Sequence, residues 1–229
     1  DGANPDWRLE LAYATSNIGA LKFRTGDFAA SLPYYERSAE ARLDLLRSAP
    51  DDPKKALAYA YALSWIAYAA SRLGDFERAA AEIERQLAVY APILADDPEN
   101  YSVLDPLVTA QRRLSDARLN LGDLAGAKAA LAEANVTASR LIDRDAANAN
   151  WLMNAAHVAI AEAAIASIEG DGERALGAAR RAVGLVDQVL VVLKDSRDAR
   201  AALISALSFL VSGPADSSET QDAARRLAS

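Results

Sequence analysis

Apolar residues recur along most of the chain at intervals of three and four residues, which is the spacing of one face of an α-helix. A Gly-Asp pair interrupts this pattern four times, with glycines at positions 26, 74, 122 and 170, so that each interval is 48 residues. Glycine readily ends a helix in the left-handed conformation, and aspartate accepts a backbone N–H as the N-cap of the next helix. Each period therefore predicts a helix, a tight turn and a second helix.

Connectors rich in Asp, Asn and Pro separate the periods, for example Asp51-Asp52-Pro53 and Asp96-Asp97-Pro98. They place repeats at about residues 5–50, 53–96, 99–145 and 148–195, with a shortened fifth at 196–229. Because the period does not drift, we expect one solenoid domain over residues 1–229. The start of the third repeat is ambiguous, since Asp105-Pro106 is typical of an N-cap and first helical residue. The chain begins within a repeat, which favours a segment of a longer protein.

Composition limits the partners of this chain. An apolar content of 52% with only 8 Pro and 11 Gly is typical of an ordered helical protein. The net charge of −7 argues against a nucleic-acid partner, which requires a basic surface. An uncharged run of 16 residues at 56–71 is shorter than the ~20 residues that cross a bilayer, so we expect no membrane insertion. The absence of cysteine fits a cytoplasmic location, with the periplasm as an alternative.

Catalytic chemistry has little support in the sequence. His157 is the only histidine, there is no cysteine, and no Gly-x-Ser-x-Gly elbow is present. Gly170-Asp171-Gly172 lacks the further glycines and the lysine of a phosphate-binding loop. The acidic pairs of the connectors have no further ligands at metal-binding spacing. We therefore expect no enzymatic activity, no cofactor and no metal.

Small and aromatic residues at fixed distances from the turn glycines resemble the tetratricopeptide repeat (TPR). The period of 48 residues exceeds the usual ~34, as in long-period bacterial arrays that commonly flank signalling or regulatory domains. The connector Asp97-Pro98-Glu99-Asn100 is similar to those arrays. The residues that carry the resemblance to the repeat are Gly19, Phe28, Phe76, Ala79, Leu124, Ala127, Ala134, Ala175 and Ala182.

The resemblance implies an all-α, right-handed superhelical solenoid of antiparallel helix pairs, with four full repeats and a shortened fifth. In TPR proteins the first helix of each pair, the A helix, lines the concave surface. Residues thirteen, nine, six and two before each turn glycine should then face this groove, where the first three repeats are rich in aromatic and hydrogen-bonding side chains. The predicted partner-binding residues are Tyr13, Asn17, Arg24, Tyr61, Trp65, Tyr68, Arg72, Arg112, Arg113, Asp116, Asn120 and His157.

The leading hypothesis is a non-enzymatic module that binds a peptide or partner protein in this groove, within a larger bacterial signalling or regulatory protein. Aromatic residues are to hold an apolar anchor and arginines a carboxylate. Packing between A helices stays open as the alternative for the aromatic residues, and ordinary paired or solvated roles for the arginines. Two other functions stay open: sensing of a small ligand between the second and third A helices, and dimerisation through apolar faces at the ends of the array.

Three residues depart from the repeat pattern. Ser31 and Gln86 stand at positions where small residues are expected, and Glu162 stands where an aliphatic side chain is expected. A buried carboxylate without a cation is costly. We therefore expect Glu162 to pair with Arg118 of the preceding A helix.

Overall fold

The computed structural model describes residues 5–212 and 217–228, which form ten α-helices and no strand. The helices follow one another in pairs, and the last pair is the shortest, which fits four full repeats and a shortened fifth. In chain order they are α1 (Pro5–Arg24), α2 (Phe28–Ser48), α3 (Pro53–Leu73), α4 (Phe76–Asp96), α5 (Tyr101–Asn120), α6 (Leu124–Arg144), α7 (Ala149–Ile168), α8 (Gly172–Val192), α9 (Arg197–Ser212) and α10 (Ser217–Ala228).

The four turns have the conformation that the Gly-Asp pairs predict. Their glycines have φ between 76° and 83°, the left-handed region that other residues avoid. The aspartates at 27, 75 and 171 each accept a hydrogen bond from the amide three residues later, at 3.0 to 3.1 Å. The A helices of the full repeats are therefore α1, α3, α5 and α7.

One helix boundary differs from its sequence-based prediction. Helix α5 begins at Tyr101, directly after Asn100, so Asp105-Pro106 does not begin it. Pro106 instead lies inside the helix, where it removes one backbone donor near the N-terminal end.

Contacts between helices divide the chain into two compact units, residues 1–123 and 124–229. In the first unit each helix from α1 to α5 packs against the next, and in the second unit the same holds from α6 to α10. The single domain over residues 1–229 stays a prediction.

Alanine dominates the interior of the first unit, where larger side chains come from single positions such as Tyr35, Leu63 and Ile83. Both polar departures are accommodated inside it. The Ser31 hydroxyl donates to the carbonyl of Phe28 at 2.7 Å, and Gln86 donates from Nε2 to the Tyr90 hydroxyl at 2.8 Å. Buried polar atoms that are paired in this way cost little free energy.

In the second unit, α7 is the one helix of the described residues that is long and apolar enough to cross a membrane. Half of its most apolar window is buried inside the protein, where α7 packs against α6, α8 and α9. This degree of burial is that of a core helix.

Candidate functional site

Six aromatic side chains from α1, α2 and α3 form a continuous aromatic cluster in the first unit. Each ring lies within 6.1 Å of at least one other ring centroid, mostly in edge-on or tilted arrangements. Such pairs stabilise a fold beyond the area that they bury. The members of the aromatic cluster are Phe23, Phe28, Tyr35, Tyr61, Trp65 and Tyr68.

Phe23 of α1 connects the cluster across the A helices. Its ring centroid lies 4.7 Å from that of Tyr68, 5.7 Å from that of Trp65 and 4.9 Å from that of Phe28. Because Trp65 and Tyr68 belong to α3, these contacts hold two neighbouring A helices side by side.

Trp65 and Tyr61 have different roles in the cluster. Trp65 stacks on the buried ring of Tyr35, with centroids 5.4 Å apart and planes at 21°. The Tyr61 ring meets the edge of Trp65 at 6.1 Å but stays 52% exposed. Trp65 is thus largely a packing residue, whereas Tyr61 presents a ring to solvent.

Arg113 of α5 lies over the opposite end of the cluster, with its guanidinium carbon 4.4 Å from the centroid of the Tyr68 ring. Burial lowers the pKa of Arg113, and the neighbouring charge of Arg112 lowers it further, while Tyr68 and Asp116 act in the opposite direction. Among the described residues, the Arg113 guanidinium has neither a hydrogen-bond acceptor nor a carboxylate partner within bonding distance. It is a desolvated cation held by an aromatic face alone.

The other polar side chains predicted on α5 are engaged with one another. Arg112 donates from Nη1 to Asp116 Oδ2 at 2.6 Å. Asn120 donates from Nδ2 to the backbone carbonyl of Asp116 at 2.8 Å. The Asp116 carboxylate is therefore already bonded to Arg112, and does not serve Arg113.

The predicted residues nearest the first turns are mostly open to solvent. Arg72 lies over the Phe28 ring at 4.5 Å, which gives the cluster a second cation at its edge. Arg24 and Asn17 are exposed on α1. These side chains are accessible to a partner, although nothing in the first unit orders Arg24 or Asn17.

Tyr13 is half exposed and lies over a buried arginine of α2. The guanidinium carbon of Arg42 is 5.3 Å from the Tyr13 centroid, and Arg42 donates to Ser38 Oγ at 3.3 Å and to the Ala58 carbonyl at 3.2 Å. Burial lowers the pKa of Arg42, and the nearby Tyr13 and Tyr61 partly offset this effect. A second desolvated arginine thus lies beneath the exposed tyrosines.

His157 belongs to the second unit, on α7, where its Nε2 is 3.3 Å from Asp198 Oδ2 of α9. The predicted partner of Glu162 is wrong. Glu162 pairs with Arg181 of α8 at 2.5 Å, and Arg118 pairs with Glu84 of α4 at 3.0 Å. Glu162 is also partly exposed, so it does not require the buried cation that its position suggested.

Sequence reasoning missed Phe23 and Arg42. Both stand at repeat positions that hold different residue types elsewhere: Phe23 corresponds to Ser71 one period later, and Arg42 corresponds to Tyr90. An arginine at a position that is apolar in the other three repeats was the available signal for Arg42. Phe23 lies beside the predicted groove positions, so the template of A-helix positions did not include it.

Other binding chemistry is limited in the described parts of the chain. There, no three His, Asp or Glu side chains are grouped as metal ligands would be. Cavities of about 450 and 310 Å³ lie in the second unit, the larger between α7, α8 and α9 and lined by Leu176 and Phe209. They do not test the predicted small-ligand site between the second and third A helices.

Comparison with known proteins gives the fold. A scan against protein-family models found no match, and a search of the curated proteins found no similar sequence. The crystal structure of BtubC from P. vanneervenii matches 98% of this chain and 80% of its own, with a TM-score of 0.66 and 18% identity.

A second similar structure is a putative kinesin light chain of P. anserina, which consists of nearly identical TPR-like repeats. It matches 99% of this chain and 95% of its own, with a TM-score of 0.61 and 18% identity. At such identities the similarity concerns the fold. The chain therefore has the TPR-like fold of paired helices, as the residues around its turn glycines predicted.

Proposed function

We propose that the A helices of the first unit bind a segment of a partner protein that carries a carboxylate next to an aromatic or aliphatic side chain. Helices α1, α3 and α5 adjoin one another here, through Phe23 and Tyr68 between α1 and α3 and through Tyr68 and Arg113 between α3 and α5. The binding surface consists of Tyr13, Tyr61, Tyr68, Arg72 and Arg113.

The state of Arg113 is the observation that carries the proposal. A desolvated guanidinium without an acceptor raises the free energy of the free protein. A ligand carboxylate would accept up to two parallel hydrogen bonds from it, in an environment where charge-assisted bonds are strong. Asp116 does not fulfil this role, because it already accepts from Arg112.

Exposed rings on the same helices provide for the apolar part of the ligand. Tyr61 and Tyr13 are each about half exposed, and their outer faces lie above the buried Arg42. Tyrosine and arginine are the side chains that most often dominate protein interfaces. Repeat folds of this kind also use extended faces of stacked helices for recognition, which supports a protein partner over a small molecule.

Selection from a displayed library of random peptides tests the proposal. We expect the selected peptides to share Asp, Glu or a free C-terminal carboxylate beside an aromatic or aliphatic residue. Calorimetry should then show that Arg113→Gln weakens their binding about tenfold or more, because it removes a charged hydrogen-bond partner. The matched control is Arg37→Gln, which removes the same charge from an exposed position of α2 and should leave binding unchanged.

Two results would contradict this function. Selected peptides without any acidic group would remove the role of Arg113, and equal binding by Arg113→Gln and wild type would move the site elsewhere. Thermal-shift measurements with metabolites test the competing small-ligand hypothesis, since a bound molecule raises the unfolding temperature by mass action. A place in a bacterial signalling protein stays a prediction.

A further inference from the structure

Helix α1 has a stripe of apolar residues that nothing in the described chain covers. The residues are spaced alternately by four and three, so they share one side of the helix. All five are exposed, and the exposed fraction reaches 68% for Trp7 and 63% for Leu21. This α1 stripe consists of Trp7, Leu11, Ala14, Ile18 and Leu21.

The internal repeat shows what such a stripe packs against. One period later, the corresponding apolar residues of α3 are buried and pack with Tyr35 and Ala39 of the preceding helix α2. Two periods later, the corresponding side of α5 is buried in the same way, and α5 packs against α4. The residues of α3 are Tyr59, Ala62, Ile66 and Ala69, and those of α5 are Val103, Ala110, Leu114 and Ala117. The α1 stripe is therefore a face of the kind that takes another helix.

We infer that the α1 stripe packs against the α1 stripe of a second copy of this chain, with the two helices antiparallel about a two-fold axis. The alternating spacing of four and three is that of a two-helix seam. In the antiparallel register Leu11 lies opposite Leu21 of the second copy and Ala14 lies opposite Ile18, so all stripe residues become covered. A two-fold contact of this kind is self-complementary and closes at two subunits.

Charges beside the seam favour this register. Glu10 and Arg24 lie on the same open flank of the α1 stripe, and both are exposed. In the antiparallel pair, Glu10 of each copy faces Arg24 of the other, and Asn17 faces its own equivalent at the two-fold axis. On the opposite flank Arg8 faces Lys22, a like-charge contact, so salt should change the affinity only modestly.

The last helix does not offer an alternative surface for head-to-tail stacking. The exposed side of α10 carries Gln221, Asp222 and Arg225, and the last two form an ion pair at 3.5 Å. A polar face of this kind would leave the α1 stripe poorly matched. The stripe is better matched by itself.

Sedimentation equilibrium of the chain over a wide concentration range tests the inference. We expect a monomer–dimer equilibrium in the micromolar range, abolished by the double variant Leu11→Glu and Leu21→Glu. Both residues are exposed, so the variant should keep its helical circular dichroism and unfolding temperature. Val136→Glu is the matched control, because Val136 is 63% exposed on α6 and lies outside the stripe.

Charge reversal tests the register separately. Glu10→Arg and Arg24→Glu should each weaken the dimer, and the double reversal should restore it. Because the chain has no cysteine, Asn17→Cys should form an intermolecular disulfide readily, whereas Ala132→Cys on α6 should not. A wild-type chain that is monomeric at all concentrations, or a dimer that survives the stripe variant, overturns the inference. Failure of the double reversal and of the Asn17 cross-link overturns the antiparallel arrangement.

Discussion

A Cβ atom on Gly19 would lie 2.9 Å from two atoms of the Tyr35 ring, closer than packed side chains approach. The missing side chain of Gly19 is thus what allows the ring from α2 to lie against the backbone of α1. Tyr35 in turn stacks on Trp65. The position of the aromatic cluster therefore depends on a glycine within a helix, where glycine is otherwise unfavourable.

We predict that Gly19→Ala lowers the free energy of unfolding by about 1 to 3 kcal/mol, because overpacking outweighs the better helix propensity of alanine. Urea unfolding followed by circular dichroism measures this change. Gly184→Ala on α8 is the control, since a Cβ there meets nothing within 4 Å. The control should be neutral or slightly stabilising. A stabilised Gly19→Ala variant would show that Tyr35 moves without cost.

Two buried tyrosines should respond oppositely to loss of the hydroxyl. Tyr35 Oη is buried without a hydrogen-bond partner among the described residues, so Tyr35→Phe should raise the free energy of unfolding by about 1 kcal/mol. The Tyr90 hydroxyl accepts a hydrogen bond from the buried Gln86, so Tyr90→Phe should lower it by about 1 kcal/mol. The same chemical change is made in both variants, and each serves as the control for the other in urea unfolding.

Tyr35 should also make the first unit less stable at high pH. Burial raises the pKa of Tyr35 from 10.0 to about 12, with a smaller contribution from Tyr61. Between these values the unfolded chain releases the phenol proton while the folded chain keeps it, so the free energy of unfolding falls as pH rises. The stability difference between Tyr35→Phe and wild type should therefore grow from about pH 9 to about pH 11. A difference that is constant over this range would contradict the prediction.

The turn aspartates offer a test of local helix formation. Asp75 Oδ1 accepts from the amide of Arg78 at 3.1 Å at the start of α4. Asp75→Ala should lower the free energy of unfolding by about 1 kcal/mol, because it leaves that amide without an acceptor. Asp75→Asn keeps an acceptor and should lose much less. Equal losses in both variants would assign the effect to charge at the helix terminus rather than to the cap.

The fold could be predicted from the sequence because its signals are local and repeated. Each turn glycine needs a left-handed backbone, and the residues on both sides need only neighbouring helices for burial. The start of α5 was the exception. Asp105-Pro106 has the chemistry of a helix start, but proline is also tolerated near the N-terminal end of a longer helix, and packing against α4 favours that longer helix.

The candidate site could be predicted only in part, because side chains reach across helices. Trp65 and Tyr68 were identified from the A-helix positions, but the ring that joins them, Phe23, lies outside those positions. Arg42 comes from α2 and reaches between two A helices because its side chain is long. The Glu162 partner was wrong for a related reason, since the helix that follows α7 offers Arg181 at a closer distance.

Phe23 should determine how the aromatic cluster is held together. Phe23→Ala removes three ring contacts between α1, α2 and α3, and we expect a loss of about 2 kcal/mol, less than for a fully buried phenylalanine. The fluorescence of Trp65 should shift to longer wavelength, measured after replacing the other two tryptophans by phenylalanine. Phe76→Ala is the control, because Phe76 is also half-buried in the first unit but makes no ring contact among the described residues. The control should lower stability without changing the emission of Trp65, and an unchanged emission in Phe23→Ala would mean that Tyr35 alone positions the indole.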